Sequence, residues 1–290
     1  LLARAGHPVH FHVRSDFDHI RQHGLRVDTP LGDFHLPQPH VYSDFADMPA
    51  VDVVIVAWKT TANAQLRSAL QTTCGPETLV LVLQNGLEVE QDAIDIVGSE
   101  RVLGGCCFLC SNKIAPGHIK HLDFGRIAFG EADPASFGRV TPRMEKLAAE
   151  FQSAGIDMQA APNLLAVRWK KLAWNIPFNG LSVALSADTR QIMEHPTASS
   201  LAEGLMVEVR TAAEACGWGF DESHIQRMLV DTRRMVPYDS SMLLDYRARR
   251  PMEVEAIFGN PLRAAQQAGY YPAKLEMLYQ QLKYLDQPVA

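Results

Sequence analysis

Residues 163–186 read NLLAVRWKKLAWNIPFNGLSVALS. Most of them are apolar or aromatic: Leu164, Leu165, Val167, Trp169, Leu172, Trp174, Ile176, Phe178, Leu181, Val183 and Leu185. A polar row, Lys171, Asn175 and Asn179, crosses them at helical spacing. Residues four apart share one face of a helix. The spacing therefore predicts one helix with an ammonium and two carboxamides in line on an otherwise apolar body. A buried amine without a partner is costly and tends to shed its proton. A chain that keeps one there uses it or pairs it. Pro177 and Gly180 fall in the same segment and predict a kink between the two Asn residues. Polar side chains beside loosened backbone suit a substrate pocket; an exposed polar face on an amphipathic helix would carry the same spacing.

Upstream of this helix, strands and helices alternate. Asp52–Trp58 (DVVIVAW) and Thr78–Leu83 are continuous apolar runs, as in a buried parallel sheet. In an open parallel sheet, ligands bind beyond the carboxyl ends of the strands. Lys59 stands at the first such end and Gln84-Asn85-Gly86 at the second. Gln-Asn-Gly alone also makes a tight turn. Helices are expected at Phe17–His23, Ala62–Leu70, Glu88–Val97 and Thr141–Ala154. Strands are expected at Leu25–Asp28, Asp33–Leu36, Val102–Ser111 and Met158–Ala160. Ile119–Leu122 and Arg126–Phe129 read as a hairpin closed by Asp123–Gly125.

The opening residues begin in mid-pattern. Leu1–Ala5 read as the last turn of a helix stopped by Gly6, and Val9–Val13 as a strand. That is the second half of a βαβ unit, whose first strand and glycine-rich turn would lie before Leu1. Arg14 follows the strand, where dinucleotide-binding folds read the ribose; an Arg there suits the 2′-phosphate of NADP. A surface Arg after a strand is the plainer alternative. Asp16 and Asp18 are expected to cap the helix Phe17–His23.

After Ser186 the pattern is helical: Pro196–Cys216, Glu222–Arg233, Ser240–Arg247, Met252–Ala268 and Ala273–Lys283. The fold class expected is α/β, a Rossmann-type N-terminal domain over residues 1–161 followed by an all-helical domain over 162–290. Ser240 and Ser241 read as a helix start, with hydroxyls for capping or for a ligand carboxylate. Glu253 and Glu255 fall early in a helix, where a solvated first turn favours acids.

The chain has 290 residues, 47% hydrophobic and 21% charged, ordinary for a globular protein with a substantial core. A formal net charge of −6 argues against nucleic acid as a partner. No apolar run approaches the ~20 residues of a membrane span. Arg4, His7 and His10 break any signal-peptide pattern. Cys74, Cys106, Cys107, Cys110 and Cys216 are an odd set with three in one apolar stretch, read as buried thiols in a reducing, cytoplasmic compartment. Cys107 and Cys110 form a C-x-x-C without the second pair that zinc would need, so no metal is expected.

Taken together, the pieces resemble the ketopantoate reductase (2-dehydropantoate 2-reductase) family. The matching stretches are V-A-W-K-T ending at Thr60, L-Q-N-G with Asn85, R-V-L-G-G from Arg101, G-H-I-K-H…G-R-I-A-F-G-E from Gly117 to Glu131, W-K-K-L-A-W-N-I-P-F-N from Trp169 to Asn179, S-S-M-L-L-D from Ser240, and M-E-V-E around Glu253. They span nearly the whole chain in order. The first strand and G-x-G-x-x-G turn of the family are the departure. The resemblance implies NADPH-dependent reduction of a 2-oxo acid, 2-dehydropantoate to pantoate in pantothenate biosynthesis, by a homodimer. It implies Lys171 as general acid, Asn175 and Asn179 on the substrate's hydroxyl and polar groups, and Ser241 on its carboxylate. Asn85 would lie between nicotinamide and substrate. Arg14, Lys59, Asn85, Cys110 and Glu253 would bind cofactor, with Glu253 also positioning Lys171. The alternatives are a non-catalytic or cofactor-impaired paralogue, and a reductase of the same fold acting on another 2-oxo acid.

Overall fold

The computed structural model describes residues 1–287. The chain divides into two compact units: Leu1–Ala57, Asn63–Leu83 and Glu90–Leu164 form the first, and Trp58–Ala62, Gln84–Val89 and Leu165–Ala290 the second. Two short stretches from the strand-rich half thus belong to the helical unit, something composition alone does not show.

The first unit carries strands β1 (His10–His12), β2 (Leu25–Asp28), β3 (Phe34–Leu36), β4 (His40–Tyr42), β5 (Val51–Val56), β6 (Cys74–Val82), β7 (Val102–Ala115), β8 (His118–Glu131) and β9 (Met158–Ala160). Its helices are α1 (Phe17–His23), α2 (Leu66–Thr73), α3 (Gln91–Val97) and α4 (Pro142–Ser153). A seven-stranded mixed sheet runs β3-β2-β8-β7-β6-β5, with β9 also on β8. β5, β6 and β7 are parallel neighbours, as the apolar runs require. β1 and β4 form a separate two-stranded parallel sheet. Leu81, Leu103 and Phe129 from the large sheet pack with Met144, Leu147 and Phe151 of α4.

Two expectations fail here. The hairpin does not close at Asp123–Gly125. β8 runs unbroken from His118 to Glu131, antiparallel to the 14-residue β7, with Pro116 and Gly117 between the two strands. Phe124 (φ 61°) and Gly125 (φ 144°) instead make an irregularity within the ladder, where Leu109 still faces Phe124. Positive φ beside a continuous partner strand yields a bulge rather than a turn. Asp16 does not cap α1 through its side chain. Its carboxylate accepts from Lys113 at 2.9 Å and from the Gly117 amide at 3.1 Å, so it ties the helix to the β7–β8 turn.

The second unit is built on α5 (Leu165 onward within Leu164–Leu185), which stays helical through Pro177. Around it stand α6 (Thr189–Glu194), α7 (Pro196–Ala215), α8 (Ser223–Arg234), α9 (Ser241–Arg247), α10 (Asn260–Gln267) and α11 (Ala273–Leu285). Trp169, Leu172, Ile176, Phe178 and Val183 are at most 2% exposed, so α5 is buried on more than one face. Leu87, from the short stretch Gln84–Val89, joins the same core. The helix α6 carries an unforeseen capping box: Asp188 accepts from the Gln191 amide, and the Gln191 side chain takes the Asp188 amide. D-x-x-Q was the legible signal. The expected helix Met252–Ala268 is in fact a π-helical turn, Glu255–Gly259, followed by α10. Pro261 cannot donate a helical hydrogen bond, and a widened turn precedes it.

Candidate active site

The second unit alone assembles most of the expected residues: Lys59, Asn85, Lys171, Asn175, Asn179, Ser241 and Glu253. Arg14 and Cys110 belong to the first unit.

Lys171 is half-buried on α5, and its Nζ donates to Asn85 Oδ1 at 2.7 Å. Asn85 is placed by a loop that glycine makes possible. Gly86 has φ 118°, and a Cβ there would lie 2.5 Å from the Ala256 carbonyl oxygen. The Leu87 amide donates to that same oxygen at 2.9 Å, and Asn260 Nδ2 donates to the Leu87 carbonyl at 2.7 Å. The Gln84-Asn85-Gly86 tight turn is therefore locked to the π-helical turn, a kind of backbone irregularity that recurs at functional sites.

Asn175 and Asn179 each lie 4% exposed on the same face of α5. Neither carboxamide has a hydrogen-bond partner among the described residues. Buried amides without protein partners are uncommon, because each lost hydrogen bond costs ~1–3 kcal/mol. Paired with a ligand they cost nothing of the kind. The exposed polar face that the spacing also allowed does not apply.

The Asn179 backbone is tied to the start of α9 by a chain of hydroxyls. Ser182 Oγ donates to the Asn179 carbonyl at 2.9 Å, and Ser182 and Ser240 hydroxyls meet at 2.6 Å. The Leu243 amide donates to Ser240 Oγ at 3.1 Å. Ser240 is thus the buried cap, and Ser241 is the half-buried first residue of α9.

Glu253 is 6% exposed, not part of a solvated first turn, and it precedes the π-helical turn. One oxygen accepts from the Thr60 amide at 2.9 Å and from Thr60 Oγ1 at 3.2 Å. Burial pushes its carboxyl up, against the opposing pull of Thr60, Lys59 and the Asn85 side chain. Lys59 itself pairs with Asp245, a 2% exposed carboxylate whose other oxygen accepts from Arg250 at 2.9 Å. Thr60, Asp245 and Arg168 are the residues that reading the sequence missed. Thr60 directly follows Lys59, and Asp245 ends S-S-M-L-L-D, so both lay inside stretches already singled out.

In the first unit, Arg14 is exposed just beyond β1; its carbonyl accepts from the Phe17 amide at 3.3 Å, while its guanidinium makes no hydrogen bond or ion pair among the described residues. Cys110 is 6% exposed, and burial together with nearby Asp123 pushes its thiol up to about 11. None of the five cysteines is in a disulfide. No helix among the described residues is long and apolar enough to cross a membrane, and no group of His, Cys, Asp or Glu among them is fit to hold a metal.

A mixed sheet with flanking helices, followed by a helical unit presenting Lys, Asn and Asn on one helix, defines a two-unit α/β class. The profile of "Ketopantoate reductase PanE/ApbA" matches residues 1–134, and that of its C-terminal region matches residues 163–286. A 2-dehydropantoate 2-reductase from Nostoc is 47% identical over 98% of this chain and 90% of its own length. The structure of a 2-dehydropantoate 2-reductase from Geobacter metallireducens superposes with a TM-score of 0.93 at 38% identity, covering 98% of this chain and 93% of that one. Another from Methylococcus capsulatus gives 0.85 at 32% identity, covering 98% and 91%. The chain belongs to the ketopantoate reductase family, and is an oxidoreductase.

Proposed function

We propose that this protein reduces 2-dehydropantoate to pantoate with NADPH, in pantothenate biosynthesis. The observation that carries the reading is the α5 face. A lysine amine held by a carboxamide oxygen stands in line with two buried carboxamides that have no hydrogen-bond partner among the described residues. The family and the Nostoc relative support the 2-oxo acid as substrate.

The residues fit a nicotinamide dinucleotide with a 2′-phosphate. Arg14 is an exposed guanidinium at a strand end, without a hydrogen bond or ion pair among the described residues and suited to a phosphate. Lys59, Asn85, Cys110 and Glu253 are the further cofactor-binding residues in this reading. When bound, the nicotinamide supplies the hydride. Lys171 supplies the proton, from Nζ to the carbonyl oxygen of the oxo acid as negative charge develops there. Asn85 Oδ1 fixes the direction of that amine. Asn175 and Asn179 hold the substrate's hydroxyl and polar groups, and Ser241 its carboxylate. Lys59 draws the Glu253 carboxyl down against the effect of burial, and in this reading Glu253 also positions Lys171.

The test is turnover with NADPH over a panel of 2-oxo acids, followed by loss of nicotinamide absorbance. A marked preference for 2-dehydropantoate supports the proposal. Turnover confined to another oxo acid favours the second reading, which the generic carboxamide pair also suits. Failure to bind NADPH in a thermal shift would favour a cofactor-impaired paralogue. Sedimentation decides whether the expected homodimer forms.

A further inference from the structure

We propose that Arg168 is a positioning residue that sets the Asn85 loop for Lys171. The inference rests on the reading of Lys171 and Asn85 given above. Arg168 lies one helical turn before Lys171 on α5 and is 1% exposed. A buried guanidinium must be paired, because stripping it of water is costly. Here Nη1 donates to the Gln84 carbonyl at 2.9 Å and to the Gly86 carbonyl at 3.2 Å. Those two carbonyls bracket Asn85. One side chain of α5 therefore grips the backbone on both sides of Asn85, and the next side chain along the same face receives the Asn85 oxygen at 2.7 Å.

The geometry is a closed loop: α5 backbone, Arg168, the 84–86 backbone, the Asn85 side chain, Lys171, and back to α5. The far end of the loop is held separately, by Ala256 and Asn260 on Leu87. Without Arg168 the Gln84 and Gly86 carbonyls lose this grip from α5, and the Asn85 oxygen is held less firmly toward the Lys171 amine. Displacements of about 1 Å in a reacting group cost up to ~100-fold in rate. Arg168 touches neither substrate nor cofactor in this scheme; it acts through Asn85.

The experiment compares Arg168→Met, Arg168→Lys, Asn85→Ala and the double variant Arg168→Met/Asn85→Ala in the full chain. Steady-state kinetics is run beside amide hydrogen exchange of the 84–89 segment. Expected is a fall in kcat of about 10- to 100-fold in Arg168→Met, with KM for the oxo acid within about threefold of the parent. Arg168→Lys, which keeps a donor and the charge, should recover part of the loss. The double variant should be no slower than Asn85→Ala alone, because a residue acting through Asn85 has nothing to position once Asn85 is gone. Exchange in 84–89 should quicken in Arg168→Met. Fully multiplicative losses in the cycle, or unchanged exchange with a folded protein, would overturn the proposal. If Arg168→Met does not fold, Arg168→Lys takes its place in the cycle and the same criteria apply. Quickened exchange with unaltered turnover in both Arg168→Met and Asn85→Ala would keep the positioning role and remove the assigned chemistry, so the two failures are told apart.

Discussion

Lys171 and Asn85 are 86 residues apart in sequence, yet the lysine Nζ donates to the asparagine Oδ1 at 2.7 Å. The contact gives the amine a fixed direction, which the general acid proposed for this position needs.

Lys171→Ala should therefore leave the fold intact and lower kcat by about 100- to 10,000-fold, the range for loss of a general acid. The side chain is only half-buried, and its deletion removes the hydrogen bond to Asn85. Calorimetry beside turnover checks both halves. Near-parent turnover in a folded variant would falsify the assigned role.

Asn175→Ala and Asn179→Ala should separate binding from stability. Neither carboxamide is paired within the described protein, so truncation removes no intramolecular hydrogen bond. Thermal stability should change by about 1 kcal/mol or less, while KM for the oxo acid rises about 10-fold or more, the worth of one hydrogen bond to a charged or polar ligand group. A large destabilisation with unchanged KM would mean the two amides serve the fold.

Two glutamates two residues apart should show opposite pH signatures. Burial raises the Glu253 pKa, so the native state holds its proton more tightly than the unfolded chain does. Its stabilising contribution is fully present below the unfolded carboxyl pKa and is lost as pH rises through the folded one. Glu253→Gln should remove that downward slope. For Glu255, burial raises the pKa, but hydrogen bonds from Lys283, Tyr279 and Arg263 outweigh it and hold the group at about 2. That contribution is present above the unfolded pKa and is lost as pH falls toward about 2. Glu255→Gln should flatten the acid limb. Urea midpoints of parent and variants across this range give the comparison, and parallel curves would contradict both assignments.

Ser182→Ala and Ser240→Ala should each destabilise the helical unit. Both hydroxyls are completely buried, and Ser240 caps α9. Loss of such a cap costs about 0.5–2 kcal/mol. Because the hydroxyls bond to each other, the double variant should cost less than the two losses added together. Strict additivity in chemical denaturation would show that the 2.6 Å contact carries no energy.

Arg14→Ala should weaken NADPH but not NADH. A ligand at 100 times its Kd stabilises the native state by about 2.7 kcal/mol, so thermal shifts resolve the two cofactors. Equal loss for both would remove Arg14 as the reader of the phosphate.

Much of this was legible in the amino-acid order. The apolar runs at β5 and β6 showed a buried parallel sheet, and the Lys-Asn-Asn spacing showed one helical face, because periodicity reports local geometry directly. The long hairpin was not legible: Asp123–Gly125 has turn chemistry, and only its pairing with β7 makes it a bulge. The partners of the 84–86 backbone, Glu253 and Lys59 were hidden for a different reason. Arg168, Thr60 and Asp245 act through contacts made by the folded chain, and their spacing carries no period to read. Burial, too, separates Glu253 from Glu255 where the sequence offers two similar acids.

The helical unit is written in three separated pieces of chain, and Leu87, a member of its core, sits in the second of them. Protein synthesis runs from one end to the other, so Lys59 and the Asn85 loop leave the ribosome well before the helix that gives them partners. Until α5 and the π-helical turn arrive, Leu87 has no core to enter and Gly86 lacks the Ala256 carbonyl it lies against. A gene cut at Leu165 would yield a bundle with Lys171 present but a gap in its interior and without the Asn85 oxygen for its amine. What resembles a movable cassette on the map of the gene is not one in the protein.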